Sequence, residues 1–503
     1  MKLSTDQEKI INTPGNLIVS ASAGTGKTHT MVNKIAKEIN ENHNHKVVAA
    51  ITFTIKAAQE IKDRLSVDVT QHFIGTNNSF AIEEVIKPFM KDVYGTEYDL
   101  DMSTDYSVKV NSFQAGIQTI KNKSILPSYS NIKKNFIFEL ATDIVEKSLA
   151  CRLYLQSKYF KIYIDEYQDC DKSMHEFFMY LCNNLNIETF IVGDEKQSIY
   201  MCYMWRGAYP DAFKSIFDKD NFEHLLLTQN FRSCQQIQNY SNLLCPDTRS
   251  LYKPTSNLDS IIWLNSTEEN WSSQVLSYIN LNLKTALLRY TRDDAQDGAK
   301  QLTVMGANFV FVPHPPIAEI TTNSAWLYTS IAKYILVQTY SVYDLISETP
   351  VEGNVSQDNV SRINGMLEKI SQSKCDKKLF SEYVNKLAKY LGYVTCSEHI
   401  DKLFSTISES IYKVAFELDK YKNISLTFHS SKGLEFDQVI VFAEDYKLDE
   451  LDGLYNHYVA STRGKTKLII IDTHNYKSIW FKRNLERILA ESKLKISDIL
   501  TIR

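Results

Sequence analysis

Leu17-Ile-Val-Ser-Ala-Ser-Ala-Gly-Thr-Gly-Lys-Thr28 reads as a buried strand that runs into a glycine loop and then into the helical stretch 28–41. A strand, a glycine loop and a helix in that order are what a phosphate-binding loop requires. Gly24 and Gly26 let backbone N–H groups of Ser22, Ala23 and Thr25 approach phosphate oxygens, and the helix presents its positive end to them. Lys27 is placed to neutralise the outer phosphates and the Thr28 hydroxyl to ligate magnesium. Ala21 stands where the usual pattern has its first glycine, a mild departure because alanine is small.

Outward from this loop, short apolar runs recur at 16–20, 47–52, 161–165, 189–194, 285–288 and 439–443, and helix-length segments follow most of them. The alternation predicts an α/β fold with parallel sheets covered by helices on both faces, and chemistry gathered at the carboxyl ends of the strands. Residues 84–150 and 342–420 differ, being rich in Lys, Ser and Asn and helical by pattern. They read as insertions into two α/β cores, one built from 1–83 and 151–222, the other from 223–341 and 421–503.

The strand Phe160-Lys-Ile-Tyr-Ile164 ends in Asp165-Glu166-Tyr167-Gln168-Asp169 and supplies the carboxylates that a phosphate loop lacks. Asp165 is assigned to magnesium and Glu166 to activating the hydrolytic water, which makes ATP and Mg2+ the expected cofactors.

Bulk properties narrow the class. The 503 residues suffice for more than one core, and a net charge of -4 excludes a uniformly basic coat for nucleic acid while allowing a local basic channel. The eight cysteines form no C-x-x-C pair and read as reduced thiols. No apolar signal core follows Met1, and no run approaches the ~18 residues of a membrane span, so a cytoplasmic protein is expected.

At these motifs the sequence resembles the UvrD/Rep-like superfamily 1 helicases, whose second motif reads D-E-x-Q-D. The resemblance implies two RecA-like domains, each with a mainly helical insertion, in a 1A/1B/2A/2B layout. It implies that Gln7 reads adenine, that Thr52 and Phe53 of Thr52-Phe-Thr-Ile-Lys-Ala-Ala58 and Thr76, Asn77 and Phe80 of Gly75-Thr-Asn-Asn-Ser-Phe80 face DNA, and that Gln197 senses the γ-phosphate. Ile55 stands where the family has asparagine. Further on, Leu227-Thr-Gln-Asn-Phe-Arg-Ser233 is similar to the motif that places Arg232 on the γ-phosphate and Phe231 on the base. Ser425-Leu-Thr-Phe-His-Ser-Ser-Lys-Gly-Leu-Glu-Phe436 implies His429 near DNA and Glu435 near the ribose, and Tyr458-Val-Ala-Ser-Thr-Arg463 implies an arginine finger at Arg463. Trp205 would stack on a base together with Tyr200 or Tyr203; the family keeps this tyrosine two residues before the aromatic, a spacing Tyr203 meets and Tyr200 does not.

The insertions are smaller than in full-length relatives, and 342–420 holds no Gly-Ile-Gly hairpin for duplex contact. This compact layout resembles the GajB-type helicase subunits of the Gabija anti-phage defence system, which implies a GajA-like nuclease partner and an ATPase responding to single-stranded DNA or DNA ends. A housekeeping 3'–5' repair helicase and a non-hydrolysing assembly subunit are the alternatives.

Overall fold

The structure is a computed structural model that describes residues 3–98, 102–198, 209, 211–320, 322, 324–349 and 357–503. Its strands in chain order are β1 (Leu17–Ala21), β2 (Val47–Thr52), β3 (Phe73–Thr76), β4 (Ser103–Val110), β5 (Ile125–Tyr129), β6 (Tyr159–Ile164), β7 (Glu188–Gly193), β8 (Glu223–Leu227), β9 (Ile261–Asn265), β10 (Thr285–Arg289), β11 (Val310–Phe311), β12 (Asn423–Thr427), β13 (Phe436–Phe442), β14 (Gly464–Asp472) and β15 (Thr501–Ile502).

Two sheets carry the molecule. The first runs β3-β2-β6-β7-β1-β8 and the second β11-β12-β10-β13-β14-β9-β15, with every pairing parallel. Parallel strands are buried on both faces, which is why they read as unbroken apolar runs. Along β1, Ile18 enters one core with Ile51 and Ile164, whereas Leu17 and Val19 enter the opposite one with Val48, Ala50 and Val192. The second sheet does the same, Trp263, Leu288 and Val439 facing one side and Leu264, Leu287 and Ile440 the other. The expected α/β class with two RecA-like sheets is therefore the observed one.

Two boundaries differ from expectation, and the first insertion holds a ribbon between its helices. β8 pairs with β1 from Leu17↔Glu223 to Ala21↔Leu227, so the first sheet extends beyond residue 222. The first insertion, expected to be mainly helical, also carries β4 and β5 as a parallel ribbon. Thr104, Tyr106, Val108 and Val110 alternate with polar residues there, a period-two signal masked by the polar composition around it. The second insertion begins before 342, since the apolar helix Ser324–Leu336 shares a core with the helices Val342–Glu348, Gln357–Gln372, Lys377–Tyr390 and Ser397–Ser408.

That helical unit rests on the first lobe. Ile55 packs against its core, Lys62 lies 5.6 Å from the ring centre of the buried Trp326, and the Ser107 N–H donates to Glu398 at 3.3 Å.

Candidate active site

The loop after β1 is shaped by two left-handed glycines, Gly24 (φ +75°) and Gly26 (φ +80°), with Gly26 opening the helix Lys27–Glu41. Ala21 ends the strand, the Thr25 hydroxyl donates to the Ser22 carbonyl at 2.8 Å, and Lys27 and Thr28 occupy the first helical turn. A β-carbon on Gly24 would lie 2.7 Å from Asn230 Oδ1 and from Arg232 Cβ, and one on Gly26 would lie 2.8 Å from Gln7 Nε2. Gln7 is held by a capping box with Ser4 and donates to the Thr25 carbonyl at 3.3 Å, which puts its amide beside the loop.

β6 delivers the carboxylates. Glu166 adopts a left-handed backbone (φ +53°), a conformation costly for a residue with a β-carbon and met at functional turns. It is fixed by its own N–H donating to Asp165 Oδ1 at 2.8 Å and by the Gln168 amide donating to Glu166 Oε2. Glu166 Oε1 stands 3.8 Å from Lys27 Nζ and Oε2 stands 3.8 Å from Lys432 Nζ. Burial pushes the Glu166 carboxyl up, but Lys27 and Lys432 outweigh it and hold the group below the usual range. Asp165 moves the other way, raised first by burial and then by Glu166. Asp165 makes no ion pair among the described residues.

The facing groups come from the second sheet and from the segment that joins the sheets. Arg463 is buried at 1% exposure, and its Nη2 donates to Gln197 Oε1 at 3.2 Å. Burial, and then repulsion from Arg232, weakens its guanidinium. Arg232 pairs with Glu435 at 2.7 Å and donates to the Thr462 carbonyl at 3.3 Å. Phe231 keeps its ring 40% exposed while its N–H donates to the Gly24 carbonyl at 2.8 Å. Of the residues expected at the nucleotide, Gln7 and Phe231 thus touch the glycine loop, Lys27 stands beside Glu166, and Gln197 bonds Arg463.

Residues without an expected role complete it. Asn230 donates to the Ala23 carbonyl at 2.9 Å and accepts from the Arg232 and Ser233 N–H groups. Lys432 ties Asp169 to the Gln197 carbonyl. Tyr458, Asp194 and Gln168 form further hydrogen bonds across or beneath the cleft. All but Asp194 stand inside the quoted motifs, so the signal was in place, but spelling alone does not say which polar side chains turn toward the loop.

The expected DNA face fares unevenly. Phe80 is fully buried against Phe73, Tyr159, Phe177 and Phe178, so the expectation that it stacks on a base is corrected: it is a core ring. Thr52, Thr76 and Asn77 are also buried. Thr52 donates to the Thr54 carbonyl, Thr76 caps the helix Asn77–Ala81, and Asn77 lies 3.2 Å from Met174 Sδ. Phe53 is half-buried on the edge of the same core, and His429, half-buried, packs on Phe428. Tyr200, Tyr203 and Trp205 lie outside the described residues.

A phosphate loop in one sheet, closed by cations carried on a second, defines a two-lobed ATP-dependent motor. Residues 3–148 and 134–221 match the model of the UvrD/REP helicase N-terminal domain. The chain is 40% identical, over 97% of its length, to Gabija protein GajB from Bacillus cereus (strain VD045), of which it covers 98%. It is 25% identical, over 65% of its length, to ATP-dependent DNA helicase Rep of Buchnera aphidicola subsp. Schizaphis graminum (strain Sg), of which it covers 57%. Against the crystal structure of Pif1 helicase from Candida albicans it aligns over 98% of its length and 99% of that chain, at a TM-score of 0.41 and 13% identity. The chain belongs to the GajB family of Gabija proteins, within the UvrD/REP helicases.

Proposed function

We propose that this motor hydrolyses ATP with Glu166 as the base, and that single-stranded DNA or DNA ends gate its turnover in the service of a GajA-like nuclease in cytoplasmic anti-phage defence. The observation that carries the reading is the gathering of Lys27, Lys432 and Arg463 around Glu166, with Arg232 beside Arg463. Arg463 and Arg232 repel one another, and a triphosphate bound beside them relieves that cost.

Gln168 fixes Oε2 of Glu166 and leaves Oε1 toward Lys27, where it can take the proton of a water attacking the γ-phosphate. Lys27 and Arg463 then bear on the charge that develops on the transferred group, and an arginine finger is worth roughly 10³ to 10⁵ in rate. Phe231 offers its exposed face to the base and Gln7 its amide edge. Glu435, held by Arg232 and by Lys465 at 3.2 Å, stands for the ribose.

Asp165 fits a divalent cation because it is a buried carboxylate without an ion pair. No cluster of three metal-binding side chains exists among the described residues, so Thr28 and Asp165 would share magnesium with the phosphates. Magnesium, when bound, supplies charge neutralisation between the outer phosphates.

On the DNA side, Phe53, His429, Trp205 and one of Tyr200 or Tyr203 carry the reading, aromatic stacking being worth about 1 to 3 kcal/mol per base. The test measures ATP turnover by the wild type and Glu166→Gln, with single-stranded DNA, duplex ends and the nuclease partner each added or withheld. Turnover that rises with DNA and falls by at least ~10² in Glu166→Gln supports the reading. Turnover indifferent to DNA and partner alike would sink the gating. Displacement of a strand from a 3'-tailed duplex separates translocation from sensing.

A further inference from the structure

Resting on the assignment of hydrolysis to this cleft, we infer that Tyr458 is a positioning residue that makes the phosphate loop report whether the lobes are closed. Tyr458 lies on the helix Leu451–Ser461 of the second lobe and is 1% exposed. Its hydroxyl accepts the N–H of Ala23, within the phosphate loop, at 3.0 Å and donates to Asp194 Oδ2 at 3.3 Å. Asp194 Oδ2 also accepts from the Gln197 amide at 2.8 Å. Gln197 Oε1 accepts from Arg463, and Arg463 Nε donates to the Val459 carbonyl at 3.0 Å, one residue from Tyr458.

The chain of hydrogen bonds therefore leaves the second lobe at Tyr458, crosses the first through Asp194 and Gln197, and returns at Arg463. Lys196 braces its midpoint, with its ammonium 2.9 Å from Asp194 Oδ1 and 5.5 Å from the centre of the Tyr458 ring. The one hydroxyl both accepts from Ala23 and donates to Asp194, which a phenyl ring cannot do. Opening the cleft breaks Tyr458–Ala23 and Arg463–Gln197 together, so the shape of the loop and the reach of Arg463 toward the γ-phosphate change in one step. Asn230 and the Phe231 N–H hold the Ala23 and Gly24 carbonyls, and the Ala23 N–H is the loop group bonded to the helix Leu451–Ser461.

Tyr458→Phe keeps the ring and removes the hydroxyl. At saturating ATP and DNA its kcat should fall about tenfold or more while KM moves by less than about threefold, and stimulation by DNA should shrink in proportion. Asp194→Asn should do the same, and the double variant should be no worse than the more damaged single one, because both break one chain. A purely structural role would lower the melting temperature and leave kcat per folded molecule unchanged. Should Tyr458→Phe not fold, the kcat and KM of Asp194→Asn decide alone. A Tyr458→Phe enzyme with kcat within about twofold of wild type overturns the inference. Glu166→Gln run in parallel keeps the two ideas apart: if it is dead while Tyr458→Phe is unimpaired, only the role of Tyr458 fails, and if it turns over normally the site assignment itself fails.

Discussion

Gly24 shows how a single residue can govern closure rather than folding. Its φ of +75° costs an alanine roughly 1 to 2 kcal/mol, a tolerable loss for a chain of this size. The added methyl, however, would lie 2.7 Å from both Asn230 Oδ1 and Arg232 Cβ, neither of which is the free end of a flexible chain. Asn230 is anchored by three hydrogen bonds, and Arg232 by Glu435 and Thr462. Gly24→Ala is therefore expected to move the segment 230–232 off the loop, lowering ATP hydrolysis by at least about 100-fold while the melting temperature drops by only a few degrees. Hydrolysis near the wild-type rate would show that the contact between Asn230 and the loop is dispensable. Gly26 meets a different neighbour, the end of the Gln7 side chain, so the same substitution there should first displace the Gln7 amide from the loop.

Among elements, the helical unit between β11 and β12 departs furthest from a free-swinging insertion. Ile55, which replaces the asparagine of the family pattern, explains part of its docking: an apolar side chain on the first lobe packs into the core that contains Leu327 and Ile331. Ile55→Asn should weaken that contact by about 1 to 2 kcal/mol and raise amide exchange along Ser324–Leu336, with β1 and β6 unaffected; unchanged exchange would deny the contact any hold on the unit. The same contrast marks what could be read beforehand. β1, β2, β6 and β13 were legible because strands covered on both faces write continuous apolar runs, and the loops at their ends carry the phosphate and carboxylate motifs. β4 was not, because a half-exposed strand alternates inside a polar composition. The membership of β8 was not either, since pairing with β1 is a contact across some two hundred residues that no local pattern encodes. Motif spelling placed Asp165, Glu166 and Arg463 at the cleft, yet it could not show that Phe80 points inward, because direction is set by Phe177 and Phe178 on a helix far along the chain.

At the scale of the whole molecule, imidazoles withdrawn from water tie its units to a common response to acid. His175 in the first lobe, His399 in the helical unit and His429 in the second lobe are pushed down to about 4, and His457 in the second lobe to about 3, burial being the first cause in each. His457 is the deepest. Its Nε2 meets the Tyr240 hydroxyl at 2.7 Å, its ring packs 4.9 Å from Phe481 and 4.8 Å from Tyr446, and its Nδ1 has no partner among the described residues. A group whose folded pKa lies below its unfolded value of about 6.5 contributes its full stability above that value and loses it as pH falls toward the folded one. At pH 5 the unfolded chain has bound a proton that the folded His457 refuses, a loss of about 2 kcal/mol from this residue. Asp169, pushed up to about 6 by burial, works in the opposite sense, gaining a proton in the folded state first. The net slope of melting temperature against pH therefore cannot be assigned to one residue, but the slope difference between two proteins can. Between pH 7 and pH 5 the wild type should lose more stability than His457→Asn, by about 2 kcal/mol, even though the variant starts lower from its poorer packing. Equal losses in the two proteins would mean that His457 takes up its proton in the fold as readily as in the unfolded chain.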